Sequence, residues 1–174
     1  MYSKPQPGDY PPYYENYFVQ LPQVPVLELL HQQPAALIRL LSGLSEEQAE
    51  KTYAAGKWNT KQVLGHLMDT ERIMLFRALC ISRGEKQSLP GFDENDYVNH
   101  GGFTKRPLAS LIREYEVVRE HSRVFFQHLD ADARDRRGWA NNAPMTVNAL
   151  LTIIVAHERH HLNLLRERYL PVWV

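Results

Sequence analysis

The chain has 174 residues, the size of one domain and enough to bury a single core. Its 20 Lys and Arg balance 20 Asp and Glu; with no net charge and no basic block, it lacks the electrostatic footprint of a nucleic-acid binder and the polybasic signal of a membrane-surface protein. The one cysteine, Cys80, rules out an intrachain disulfide and agrees with a cytoplasmic setting, and neither a secretory signal nor a bilayer-spanning run is expected.

Residues 1–23 hold Pro5, Pro7, Pro11, Pro12 and Pro22 among many tyrosines. Proline excludes helix over most of this stretch, while Tyr10, Tyr13, Tyr14, Tyr17 and Phe18 are too apolar for a free tail. An extended arm laid over the core is expected. From there to residue 168 the pattern is helical. The first helix is predicted from Pro25 to Ser42, on a stripe of Leu27, Leu30, Leu37, Leu40 and Leu41, with a kink at Pro34. A short helix follows at Glu46–Lys51, opened by a capping box of Ser45 and Gln48. The second long helix is predicted over Thr60–Arg83, with Asn59 and Gln62 at its start and Gly84 at its stop.

Residues 84–106 read as a long loop, of a length that is often functional. The third long helix starts at Pro107, as a first-turn residue, and ends near Leu129. Residues 130–145 are polar, and the fourth helix runs from Thr146, its N-cap, to Arg168. No segment shows sustained strand alternation. One domain over 1–174 is expected: an all-α four-helix bundle over 25–168 with long connecting loops.

The last helix carries His157-Glu158-Arg159-His160-His161, a literal H-E-x-x-H. His157 and His161 lie about 40° apart on one face, shared with Leu150, Ile153, Ile154 and Leu164. Each imidazole has a donor and an acceptor to satisfy. Paired at i, i+4 on so apolar a helix, they favour a metal over two hydrogen-bonded core histidines. Glu167 is the sole carboxylate after His161 and sits on the helix flank, so a third ligand must come from upstream. His66, which shares its face with Val63, Thr70 and Ile73, is the best candidate. His31, His100, His121 and His128 read as surface or loop residues. A zinc protease would take its third ligand from beyond the motif. The long form of that motif fails, with Leu164 for Gly and Glu167 for His. An all-helical chain also has no edge strand for a peptide, and Glu158, about 100° from His157, faces away from the pair.

The stretches GKWNTKQVLGHLMDTERIMLFRAL (56–79), LPGFDENDYV (89–98) and MTVNALLTIIVAHERHHLNLLRERY (145–169), with the arm YPPYYENYF (10–18), resemble the DinB/YfiT-like superfamily of metal-binding four-helix bundles. The resemblance covers nearly the whole chain. It implies that His66, His157 and His161 hold a divalent ion, zinc or nickel with iron and manganese as alternatives, and that water completes the shell. It also implies one of three activities: transfer of a low-molecular-weight thiol to an electrophilic small molecule, metal-dependent hydrolysis, or metal and ligand binding without catalysis. Homodimers are common in the family.

A three-His site with open positions lowers the pKa of a bound water or thiol. Asp69, one turn past His66, and Glu158 are candidates for acid–base work or for orienting a ligand; Asp69 reads equally well as a surface carboxylate, and Glu158 reads better as a carboxylate behind the ligands or at the surface than as a catalytic group. Arg77 lies on the His66 face, where a salt bridge to Asp or Glu is the expected role and an anionic substrate the alternative. Tyr17 and His160 are further pocket candidates. Trp58 is expected to pack in the core, and Cys80 to be a small buried residue.

Overall fold

The computed structural model describes residue 2 and residues 4–174. Met1 and Ser3, part of the predicted arm, lie outside the described residues. The arm does lie over the core: Tyr10 and Tyr14 are buried, and the Tyr10 ring packs on Phe18 with centroids 4.6 Å apart. It is not extended throughout. A 3-10 turn at Pro12–Tyr14 runs into α1 (Glu15–Phe18), because proline is tolerated in a first turn, where its missing N–H has no partner to lose.

The predicted first helix is two pieces, α2 (Val26–Gln32) and α3 (Pro34–Leu41). Gln33 between them keeps helical angles, and Pro34, which cannot donate back along the helix, makes the break. In α4 (Glu46–Glu50) the predicted capping box is present, with Gln48 N donating to Ser45 Oγ and Ser45 N to Gln48 Oε1. The central helix α5 (Thr60–Ser82) opens with a second box: Gln62 N donates to Asn59 Oδ1 and Asn59 N to Gln62 Oε1, both at 3.0 Å. Gly84 follows its end at φ 89°, a left-handed value that suits glycine.

Residues 84–106 are more ordered than a loop. They hold α6 (Glu94–His100), capped by the Asp93 carboxylate on Asn95 N and Asp96 N, and a 3-10 turn at Phe103–Lys105. A helix of two turns is too short to print a periodic pattern. Helix α7 (Leu108–Gln127) takes Pro107 as its N-cap rather than its first residue.

The polar stretch that follows forms α8 (Ala131–Asp135) and a hairpin. Strands β1 (Arg137–Ala140) and β2 (Ala143–Thr146) pair antiparallel, Arg137 opposite Thr146 and Ala140 opposite Ala143. Asn141 and Asn142 turn the chain at φ 51° and 58°. A two-residue hairpin loop needs both positions left-handed, and asparagine tolerates that. The expectation of no strand therefore fails at this one hairpin, whose strands are too short to alternate visibly. Helix α9 (Val147–Leu164) starts at its predicted cap, Thr146, whose Oγ1 accepts from Ala149 N. It outruns its predicted end, through a π-helical segment at Leu165–Tyr169, into α10 (Leu170–Trp173).

The long helices make a four-helix bundle in which α5 packs along both α7 and α9. Its apolar core has two halves. One gathers Met74–Ile81 positions of α5, Val147–Val155 positions of α9 and Phe126. The other gathers Val63, Leu64, Leu67 and Met68 with Leu111, Tyr115, Leu162 and Tyr169. Buried polar residues fall between them along the same helices: His66, Thr70 and Glu71 of α5, Arg119 of α7, Glu158 and His161 of α9. Among the described residues no helix is long and apolar enough to cross a membrane.

Candidate metal centre

The apolar stripe of α9 carries His157 and His161 inward, and α5 brings His66 against them from the neighbouring helix. His66 Nε2 lies 2.9 Å from His157 Nε2, and His161 Nε2 lies 3.1 Å from the same atom. The ligating nitrogens of the three all fall within 4.8 Å of one another, and they are the one such group among the described residues. Tetrahedral zinc with bonds of 2.0–2.1 Å places its ligand nitrogens about 3.3 Å apart, so the separations are close to those of a donor set around one ion.

The protonation of these rings suits the same end. Burial, with the nearby His160, pushes His66 down to about 4. Burial first, and then the other imidazoles, hold His157 and His161 well below the ordinary histidine value. All three are neutral at pH 7, as a ligand imidazole must be. A neutral Nε2 carries either a hydrogen or a lone pair. His157 Nε2 thus satisfies at most one of its two contacts as a hydrogen bond. His161 Nδ1 is buried without a partner. By themselves the three rings are incompletely satisfied, and a cation accepting three lone pairs resolves the conflict between their Nε2 atoms.

The two carboxylates considered from sequence are hydrogen-bonded outside this cluster. Glu158 is not a surface group, and among the described residues no hydrogen bond joins it to the imidazoles. It is 1% exposed and accepts from Tyr115 Oη at 2.6 Å, from Gln33 Nε2 at 3.1 Å and from the Arg119 guanidinium. Arg119 also chelates Glu71, at 2.9 and 2.8 Å. Burial works against the Arg119 charge, but Glu158 and Glu71 outweigh it and hold its pKa well above the ordinary arginine value. The break before Pro34 sets Gln33 here, where it also bonds Val155 O at 2.9 Å. Asp69 pairs with Arg72 at 3.4 Å and makes no hydrogen bond to the three imidazoles among the described residues.

His66 and His157 face a cavity of about 240 Å³, also lined by Tyr13, Tyr14, Tyr17, Thr70, Arg77 and Glu94. Of the predicted pocket residues, Tyr17 and Arg77 line it and His160 does not. The half-buried His160 ring instead packs edge-on to Tyr17, with centroids 4.9 Å apart. The expected salt bridge of Arg77 is absent: its Nη2 donates to Pro90 O at 2.7 Å, and no carboxylate pairs with it among the described residues. Trp58 is half-buried and packs against the apolar core as expected, with its ring also 4.8 Å from that of His66, beside the site. Cys80 is partly exposed rather than buried, and burial raises its thiol pKa, which disfavours a nucleophile. Thr70, one turn from His66, was visible in the sequence as a neighbour on the same face. Tyr17 was a pocket candidate in the sequence, and its neighbours Tyr13 and Tyr14 come with it on the arm; Glu94 reaches the cavity on α6, which no local pattern announces.

The DinB superfamily model matches residues 29–165, most of the chain and all three histidines. The chain belongs to the DinB superfamily. A relative from Oceanobacillus iheyensis, described as a "putative metal-dependent hydrolase", is 24% identical over 123 residues, 70% of each chain. Among solved structures, YfiT from Bacillus subtilis, described as "a probable metal-dependent hydrolase with an unusual four-helix bundle topology", superposes with a TM-score of 0.76 at 18% identity. That match covers 99% of this chain and 95% of YfiT. A mycothiol-dependent maleylpyruvate isomerase matches with a TM-score of 0.64 at 14% identity, over 83% of this chain and 62% of the isomerase. The DinB bundle fold is thus common to this chain and to proteins whose descriptions invoke a metal or a thiol cofactor.

Proposed function

We propose that this DinB protein is a metal-dependent enzyme in which His66, His157 and His161 hold one divalent ion beside the cavity that His66 and His157 line. The observation that carries the proposal is the meeting of three neutral Nε2 atoms at 2.9 and 3.1 Å, a set of lone pairs that protons alone cannot satisfy. A zinc- or nickel-like ion bound there supplies a deprotonated nucleophile at neutral pH by lowering the pKa of a coordinated thiol or water.

The preferred nucleophile is a low-molecular-weight thiol, transferred to an electrophilic small molecule. The chain's own carboxylates support this choice. Glu158 is committed to Tyr115, Gln33 and Arg119, and Asp69 to Arg72. Neither is free to serve beside the imidazoles as the acid or base that hydrolysis of an ester or amide would use to move its protons, whereas a thiolate would need no further proton transfer to attack. The residues' tasks are then simple. His66, His157 and His161 bind, Trp58 packs against the His66 ring, and Tyr13, Tyr14 and Tyr17 of the arm line the cavity where a substrate would sit. Hydrolysis is the second reading, supported by the descriptions of the Oceanobacillus and Bacillus relatives.

Elemental analysis of purified protein should find about one zinc- or nickel-like ion per chain, and His66→Ala should remove it. A protein that binds no divalent ion after reloading would overturn the proposal. The two reactions separate in one screen of the reloaded protein. Turnover of a generic electrophile only with added thiol supports transfer, and cleavage of ester or amide probes without thiol supports hydrolysis. No turnover in either arm, with a His66→Ala protein that loses the metal and keeps every measurable function, would instead support a protein that binds without catalysis.

A further inference from the structure

Three Lys or Arg side chains are buried among the described residues: Lys61, Arg77 and Arg119. Lys61 meets the carboxylates of Glu46 and Glu50, and Arg119 those of Glu71 and Glu158. Arg77, 4% exposed, meets none. Its contacts are the Pro90 carbonyl, a long approach to Met74 Sδ at 3.6 Å, and the Phe92 ring with its centroid 5.9 Å away. Its Nε is buried without a partner, and so is the Thr70 hydroxyl. Leaving a cation unpaired in a protein interior is costly, and both residues line the cavity that His66 and His157 face. Burial also lowers the Arg77 pKa, and the nearby phenols of Tyr14 and Tyr13 offset this only in part, as expected where no carboxylate serves as counterion.

The helix aligns these groups. His66, Thr70 and Arg77 are four and seven residues apart, which keeps them on a strip about 40° wide. Eleven residues separate the ends, or about 16 Å between Cα atoms. Helical side chains lean toward the N-terminus, so Arg77 leans back along the cavity toward His66. Glu94 lines the same cavity but is exposed and does not pair with Arg77. The cavity's volume of about 240 Å³ equals the liquid volume of about eight waters, which suits a small molecule.

We propose that the cavity takes a small organic acid, whose carboxylate is bound by Arg77 with help from the Thr70 hydroxyl and whose other end is presented to His66 and His157. The carboxylate replaces the missing counterion. The guanidinium fork matches its two oxygens, which would make Arg77 the residue that selects anionic over neutral substrates. The inference rests on the metal-site proposal for which end of the cavity is reactive, but anion binding itself does not require the metal.

Metal-free protein is therefore the material for the test, since a carboxylate would also bind a metal. Calorimetric titration should show 4-phenylbutyrate binding at least about tenfold more tightly than 4-phenylbutanamide, its uncharged analogue. In Arg77→Met, with folding checked by circular dichroism, that preference should vanish. Equal binding of acid and amide to the wild type, or an undiminished preference in Arg77→Met, would overturn the proposal. Should the variant fail to fold, wild-type crystals grown with 4-bromophenylacetate decide: a carboxylate against Arg77 supports the assignment, and one bound elsewhere refutes it. A failed preference leaves the metal measurements above untouched, and a failed metal assay leaves the preference readable.

Discussion

Two buried polar clusters lie next to each other between the apolar halves of this bundle, and they solve the cost of burial in opposite ways. Glu71, Arg119, Glu158, Tyr115 and Gln33 form a charged network that pairs its charges within itself and leaves only Arg119 Nη1 and Gln33 Oε1 without a partner among the described residues. His66, His157 and His161 are neutral, converge on one point and leave donors and acceptors unmatched. Residues 157 and 158 are adjacent in the chain, yet about 100° of helical rotation sends one to each cluster. A buried polar group that is satisfied holds the fold; one that is not satisfied asks for a ligand. The motif H-E-x-x-H thus joins, in five residues, a pair that faces the site with a glutamate that ties α9 to α7.

The comparison breaks most readily at Arg119. Arg119→Met leaves Glu71 and Glu158 buried without their cation, and removing one partner of a buried pair costs about 3–5 kcal/mol. For a chain of this size that is a fall in Tm of roughly 6–20 °C, readable by calorimetry on metal-free protein. A loss under about 1 kcal/mol would mean that the network does not hold the helices together, and that Glu158 is available for chemistry after all.

Acid should separate the clusters next. The folded-state pKa of His66 is about 4, below the 6.5 of an unperturbed histidine. Between these values the unfolded chain takes up a proton that the folded chain refuses, so stability falls as pH drops through 6.5 and levels off below 4. For His66 alone the loss from pH 7.5 to 5 is about 2 kcal/mol, and His157 and His161 act with the same sign. Urea unfolding of metal-free protein at the two pH values measures it, and His66→Gln should flatten part of the slope. A stability unchanged at pH 5 would mean that these imidazoles are not desolvated in the folded chain.

The two clusters were also unequally legible. The trio is written in the sequence, because a histidine on an apolar helical stripe is conspicuous and the i, i+4 spacing of His157 and His161 declares a common face. The charged network is not. Glu71 and Arg119 look like ordinary surface charges on amphipathic helices, and only the packing of α7 between α5 and the α2–α3 break removes them from water. The helix caps at Ser45, Asn59 and Thr146 were readable because capping is chemistry within four residues. The hairpin at Asn141–Asn142 and the short α6 were not, since four residues of strand and two turns of helix carry too little periodicity. Arg77 was placed on the correct face, but the absence of a carboxylate partner is a property of every surrounding element at once.

The smallest expected effect defines where the comparison ends. Asp69 sits one turn from His66, and on sequence it had as good a claim to the site as Glu158. Its carboxylate is 23% exposed and pairs with Arg72, itself 44% exposed and also bound to Glu114 at 2.5 Å. Burial raises the Asp69 pKa and Arg72 opposes it, so the pair gains little from its charge. Asp69→Asn should therefore change stability by less than about 0.5 kcal/mol in either direction, and should leave metal content and metal affinity unchanged. If instead affinity fell by tenfold or more, as it does when a partner that orients a metal-binding histidine is lost, Asp69 would have to turn from Arg72 to an imidazole when metal binds. The neutral cluster would then carry a carboxylate of its own, and the argument for a thiol over water as nucleophile would lose its support.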